Sequence, residues 1–428
     1  MATRSARAIL GLLLAINIRA QTPPRVTAPG DTVPGDTAQG DTALRDVERR
    51  ASAAKARGDA AGALAAWQQA AVLAPNSAHV QDEIGFLLAV LNRRDEAIRH
   101  FEHALEIDPR FASAQYHLGV AYWLAQRPAD AVPHLQSAAA LDPNSFEHRF
   151  FLGQALNATS QFAAALPHLA RAIALNPTSS EAWNQLGLAR QKTDDTTGAL
   201  DAYRRAVALA PDNLDARNNL GFVLVNSGRA EEGLSQFEKI LSVDPANNMA
   251  RVNAGFAHLQ KADLDRAATE FREVLRRDPD SAIAHYDLGV ALKQKDDLDA
   301  AKLELTRSLA LDPQLAEAHY TLGIIHWQSG EFEQAAQEMQ AAIAIHAGYG
   351  EAYFMLGTAL KQKGDLEAAE AALRAAIRFD PANPGPYNTL AQLVRQKGDI
   401  EASRALFEEG AKAKRRKEAE LGKMLQKR

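Results

Sequence analysis

Histidine, aspartate and glutamate are the side chains here with catalytic or metal-binding reach. The 428-residue chain holds twelve histidines, 53 acidic residues and no cysteine. Without cysteine there are no disulfides, thiolate metal ligands or thiol nucleophiles. His100 and His103, with Glu102 and Glu106, put two imidazoles at i,i+3, a spacing that on a helix brings two ligands to one face. His319 and His326, seven apart, also share a helix face. Twelve histidines on a helical chain make such pairs through spacing alone, so these read as groove lining or part-buried polar groups. Asp31, Asp36 and Asp41 sit in three Gly-Asp-Thr triplets. Calcium loops space their ligands more tightly and add a glutamate, so the triplets read as spacer. No His-Glu-x-x-His, Gly-x-Ser-x-Gly or phosphate-binding glycine loop occurs. The expectation is a chain that is not an enzyme, with no catalytic residue, metal or cofactor.

The elements that would position any site repeat with a period of 34. Proline stands at 75, 109, 143, 177, 211, 245, 279, 313 and 381, with Ala347 at the skipped place. Glycine stands at 85, 119, 153, 187, 221, 255, 289, 323 and 357, and an alanine series from 63 to 369 keeps the same register. A fixed period of this size marks a solenoid whose units bury their apolar faces only against neighbours. Each unit reads helix, turn, helix. In the one starting at Gly350, Leu356 and Leu360 form one stripe, Gly364 stops the first helix and Asp365 caps the second. Gly357 and Ala369 are small where the two helices cross.

The unit starting at Ser180 reads Trp183-Asn184-Gln185-Leu186-Gly187, then Ala199, Tyr203, Ala206 and Pro211. This order resembles the tetratricopeptide repeat family, with Arg190 where that family has tyrosine. Eleven repeats fit, starting at 44, 78, 112, 146, 180, 214, 248, 282, 316, 350 and 384, and span 44–417. The resemblance implies an all-α fold, a right-handed α-solenoid whose first helices line a concave groove. It also implies that residues 2, 5, 9 and 12 of each repeat face the groove. The fifth place holds Tyr116, Phe150, Tyr286, Tyr320 and Phe354; the ninth holds Phe86, Phe222 and Phe256; the twelfth holds Trp123 and Trp327. Such aromatics anchor a partner's apolar side chains or seal neighbouring repeats. Tyr320 and Trp327 stand out as anchors. Asn184, Asn218, Asn219 and Asn253 offer amides able to clamp an extended backbone. The lysine-and-asparagine pattern with which one family subgroup grips a C-terminal carboxylate is absent.

Outside the repeats the chain is of another kind. Arg4 and Arg7, the apolar run 8–18 and the small residue at 20 form an export signal over 1–20, cleaved or kept as an anchor. Residues 21–43, rich in Pro, Gly, Thr and Asp, form a disordered linker. Residues 418–428 form the basic end of a capping helix whose inner contacts would come from Leu406, Phe407, Leu421, Met424 and Leu425. Net charge is −5, which argues against a nucleic-acid partner, and no apolar run reaches membrane-spanning length. Two local departures are expected to alter shape: a softened joint at 346–350, and bends at Pro133 and Pro167 inside second helices.

The sequence thus points to a periplasmic or secreted scaffold of the cell envelope, binding a protein or extended peptide in its groove. One alternative is an accessory to assembly or export of a polysaccharide, pilus or secretion machine. The other is an enzyme with an unrecognised site.

Overall fold

The computed structural model describes residues 37–426, and among them every regular element is an α-helix, 22 in all, with no strand. Each repeat contributes a first and a second helix, as in Ser180–Lys192 followed by Thr196–Leu209. The export segment and the linker up to residue 36 lie outside the described residues. The first helix begins at Thr37, ahead of the expected array start at 44.

Local chemistry starts and stops these helices. Ser77, Ser145, Ser179, Ser281 and Asn247 cap first helices, their side-chain oxygens accepting a backbone N–H three residues on. Asp195, Asp263, Asp297 and Asp365 do the same for second helices. Every first helix ends on a left-handed residue at the fifteenth place of its repeat. Gly364 is one of five glycines there, but Asn92, Gln126, Ser160, Asp194, Ala262 and Asp296 take the same positive φ with a side chain attached.

Inside each repeat the two helices cross closely. A Cβ on Gly187 would lie 2.6 Å from the Tyr203 ring, and one on Gly357 would lie 2.7 Å from Leu373 Cγ. The crossing residue sits sixteen positions after the glycine and includes the most deeply buried side chains, Phe101, Tyr203, Phe237 and Phe271 among them.

The turn between repeats is stapled from the fourth residue of eight first helices. Gln115, Arg149, Trp183, Arg217, Arg251, His285, His319 and Tyr387 each lie within 2.7–3.3 Å of the carbonyl of the proline six residues earlier. Several also reach the second helix of their own repeat. Arg251 donates to Glu270 at 2.9 Å, and His285 and His319 meet Glu304 and Glu338 at 2.6 Å. The two histidines therefore have an oxygen within reach of each ring nitrogen.

Two compact units result, dividing at Val223/Leu224. In each, first helices of neighbouring repeats touch directly, 146–158 against 180–192 in the first unit and 282–294 against 316–328 in the second. They also pack on the second helices of their own repeats.

Some expectations of shape change. The turn at 346–350 keeps the backbone of its neighbours. Tyr349 N–H donates to His346 O at 3.0 Å, as Asn247 does to Asp244 at 3.1 Å, and His346 (φ −124, ψ 89) matches Asp142 (φ −126, ψ 87). Tyr349 fills the place with its ring, 5.4 Å from that of His346. Tyr353, the fourth residue of that repeat, stacks on Phe379. Pro133 and Pro167 stand inside second helices of 14 residues, the common length, so neither shortens its helix. The last helix runs unbroken from Ile400 to Gln426; Leu406 packs inward, whereas Phe407 is exposed. The side chains of Leu421, Met424 and Leu425 lie outside the described residues.

Two substitutions with opposite signs test this construction by urea unfolding. Gly187→Ala forces a methyl into the Tyr203 ring and should cost about 1–3 kcal/mol. Ala262→Gly removes a side chain from a left-handed position and should stabilise by about 1 kcal/mol.

Candidate binding surface

In the first unit the expected groove residues are largely consumed by packing between repeats. Tyr116 and Phe150 are buried. Tyr116 lies against His148 (4.9 Å between centroids) and Phe151 (5.8 Å), and Phe150 stacks on Phe146. Burial pushes the Tyr116 phenol well above its ordinary value. Trp123 and Phe222 are half-buried, and so are Asn184, Asn218 and Asn219. Asn219 Nδ2 donates to Asn184 Oδ1 at 3.0 Å, so this amide pair binds itself before it binds a partner.

That bond belongs to a register. The fifth residue of one repeat meets the sixth residue of the next, 35 positions on. The same step in repeats 2 and 3 joins Asp82 to His117 Nδ1 at 2.8 Å, with the Ser113 hydroxyl donating to Asp82 at 2.6 Å. Burial opposes a charge on His117, and the Asp82 carboxylate outweighs it, so the imidazole holds its proton more tightly than a free histidine. Ser113 and Asp82 both approach Nδ1. A nucleophile–base relay needs the hydroxyl on the other ring nitrogen, so the trio joins two repeats and does no chemistry.

A second register runs from the twelfth residue of one repeat to the sixth of the next, 28 positions on. Asn157 Nδ2 donates to Gln185 Oε1 at 3.0 Å. Lys55 Nζ pairs with Glu83 at 2.9 Å and lies 4.5 Å above the Phe86 ring. This lysine, glutamate and aspartate network carries no motif and was not anticipated; the 28-residue offset is the signal that finds it.

The histidines considered for metal binding are engaged otherwise. His100 Nδ1 bonds Gln81 at 2.8 Å, His326 pairs with Glu331, and His319 bridges Glu338 and the Pro313 carbonyl. Among the described residues no group of three or more potential ligands gathers.

The second unit differs. Its first helices carry exposed apolar side chains. Met249 and Ile283, both second residues of their repeats, are each 60% exposed, and Phe256 is 38% exposed. Asn253 is half-buried beside them in sequence. Tyr286, Tyr320, Trp327 and Phe354 continue the face, half-buried, with Tyr320 4.9 Å from Tyr349 and the Trp327 Nε1 donor without a partner. Met249 and Ile283 went unnoticed in the sequence because the second place elsewhere is mostly charged. Lys293, the twelfth residue of repeat 8, is half-buried, and burial lowers its proton affinity. Asp287, sixth in the same repeat, is pushed up to about 6 by burial.

Family models described as tetratricopeptide repeat match residues 87–146, 125–180, 152–214, 253–316, 286–350 and 320–384, and a second such model matches 191–254. Similar solved structures include yeast Tom70, 15% identical with a TM-score of 0.48 over 90% of this chain and 95% of that one. YrrB, described as a TPR protein with an unusual peptide-binding site, is 24% identical with a TM-score of 0.40 over 43% of this chain and 95% of its own. MamA is 30% identical with a TM-score of 0.35 over 37% of this chain and 93% of its own. No curated protein matches the chain.

The His117 step has a pH signature. A histidine that binds its proton more tightly when folded contributes stability fully below the unfolded pKa of about 6.5, and loses it as pH rises through the folded value. His117→Asn should therefore destabilise more at pH 5.5 than at pH 8.5 in urea unfolding. An equal effect at both would remove the Asp82 interaction from the account.

Proposed function

The chain belongs to the tetratricopeptide repeat family, and from that footing we propose that it is a non-catalytic scaffold of the cell envelope whose second unit holds a segment of a protein partner. Arrays of this family bind protein or peptide partners. The observation that carries the reading is the exposure of the apolar Phe256 and Ile283 on neighbouring first helices, flanked by half-buried aromatics on the next first helices. Apolar side chains exposed singly are ordinary, as Val72 and Val243 are near second-helix ends. A run of them along one row of neighbouring helices is what a partner covers.

The envelope assignment rests on sequence alone: the basic start, the apolar run 8–18 and the small residue at 20. No helix of the described residues is long and apolar enough to cross a membrane.

Ile283→Glu should weaken partner capture at least tenfold while leaving the helical circular dichroism signal intact, as loss of a central apolar contact does. Leu303→Glu, on an exposed second-helix site, is the matched control and should leave capture unchanged. For location, fusing a reporter active only outside the cytoplasm to the full chain should give signal, and deleting residues 2–20 should abolish it. Equal signal from both chains would contradict the assignment.

A further inference from the structure

The sixth place of a repeat carries a carboxylate twice among the repeats described, and the two differ in what faces them. In repeat 2 it is Glu83, and the array supplies the counter-charge itself. Lys55, twelfth in the preceding repeat, reaches across at 2.9 Å and rests on the Phe86 ring. In repeat 8 it is Asp287, and the residue 28 positions earlier is Leu259. The register is a property of the fold, since Asn157 and Gln185 keep it with amides. Asp287 therefore occupies a cation-binding place from which the internal cation is missing. Neither a hydrogen bond nor an ion pair is drawn to its side chain.

The surroundings suit a cation from outside. Tyr286, beside Asp287, is raised by burial and by the charges of Asp287 and Glu317, against the lowering effect of a hydrogen bond that its oxygen accepts from the Thr321 hydroxyl. Tyr320 and Tyr349 lie ring to ring at 4.9 Å, both raised by burial, with Glu351 adding to each. Glu317 and Glu351 are exposed at the second place of successive repeats and have no basic partner. Phenol faces and carboxylates together bind ammonium and guanidinium groups. The basic residues on the same helix are His285, paired with Glu304, and Lys293, six residues after Asp287.

We propose that the second unit binds a protein segment bearing a lysine or arginine, whose charged head takes the place at Asp287 that Lys55 takes at Glu83, while neighbouring apolar residues of the segment cover Ile283. The proposal rests on the groove reading above and names the partner's chemistry.

Selection of a random dodecapeptide library on the immobilised full chain tests it. Wild type should enrich peptides with lysine or arginine amid apolar residues. Two variants should lose that preference while still retaining peptides: Asp287→Asn, which removes the acceptor, and Leu259→Lys, which builds in the cation that Lys55 provides elsewhere. A basic peptide from the wild-type selection should bind each variant about tenfold more weakly, the scale of a charge-assisted contact. Enrichment of neutral or acidic peptides, or basic preference surviving in both variants, overturns the proposal and leaves the groove reading standing. If wild type retains no more peptide than Ile283→Glu does, the groove reading falls and the proposal with it.

Discussion

The close crossing of two helices within each repeat is the constraint on which everything else depends. A glycine eighth in the repeat admits the large side chain sixteen residues later to within contact of the backbone, as Tyr203 meets Gly187. That crossing fixes which faces of the pair remain. One face of the first helix is spent on the second helix, another on neighbouring repeats, and what is left is the row along which successive first helices lie side by side. In a solenoid each repeat contacts only its neighbours, so this row is a continuous surface built from successive repeats.

Along the row, side chains are divided between holding repeats together and remaining free. The division follows sequence position. The fourth residue staples the preceding turn whatever its chemistry, as glutamine, arginine, tryptophan, histidine and tyrosine all do. The fifth and sixth residues pair across repeats, as Asp82–His117 and Asn184–Asn219 show. In the first unit these pairings take up the aromatics and amides that would otherwise bind a partner. The second unit leaves Phe256 and Ile283 exposed and Asp287 without an internal cation.

Much of the architecture was legible because the period is exact in proline and glycine. The helix pairs, the crossing at Gly357 and the left-handed stop at Gly364 all followed from residue type and spacing. The same stop at Ala262 and Gln126 was hidden, because a side chain there signals nothing in sequence and is tolerated only through the surrounding packing. The joint at 346–350 was expected to soften for want of proline; its backbone matches that of the neighbouring turns, with the Tyr349 ring 5.4 Å from that of His346. The site was half legible. Tyr320 and Trp327 were expected from their places in the repeat, and both stand half-buried on first helices. Tyr116 and Phe150 occupy equivalent places but are buried, because their neighbours His148, Phe151 and Phe146 are themselves large rings that close over them. For Tyr116 one repeat read alone cannot show this, since the rings against it, His148 and Phe151, come from the next repeat.

On the proposed function, this first-helix row of the second unit, and no other surface, meets the partner. Photocrosslinking in intact cells addresses it most directly, with a benzoylphenylalanine probe at Tyr320 compared with the same probe at Leu303 on a second helix. Adducts to one partner from position 320 and none from 303 are the predicted outcome. Adducts from 303 with none from 320 would contradict it.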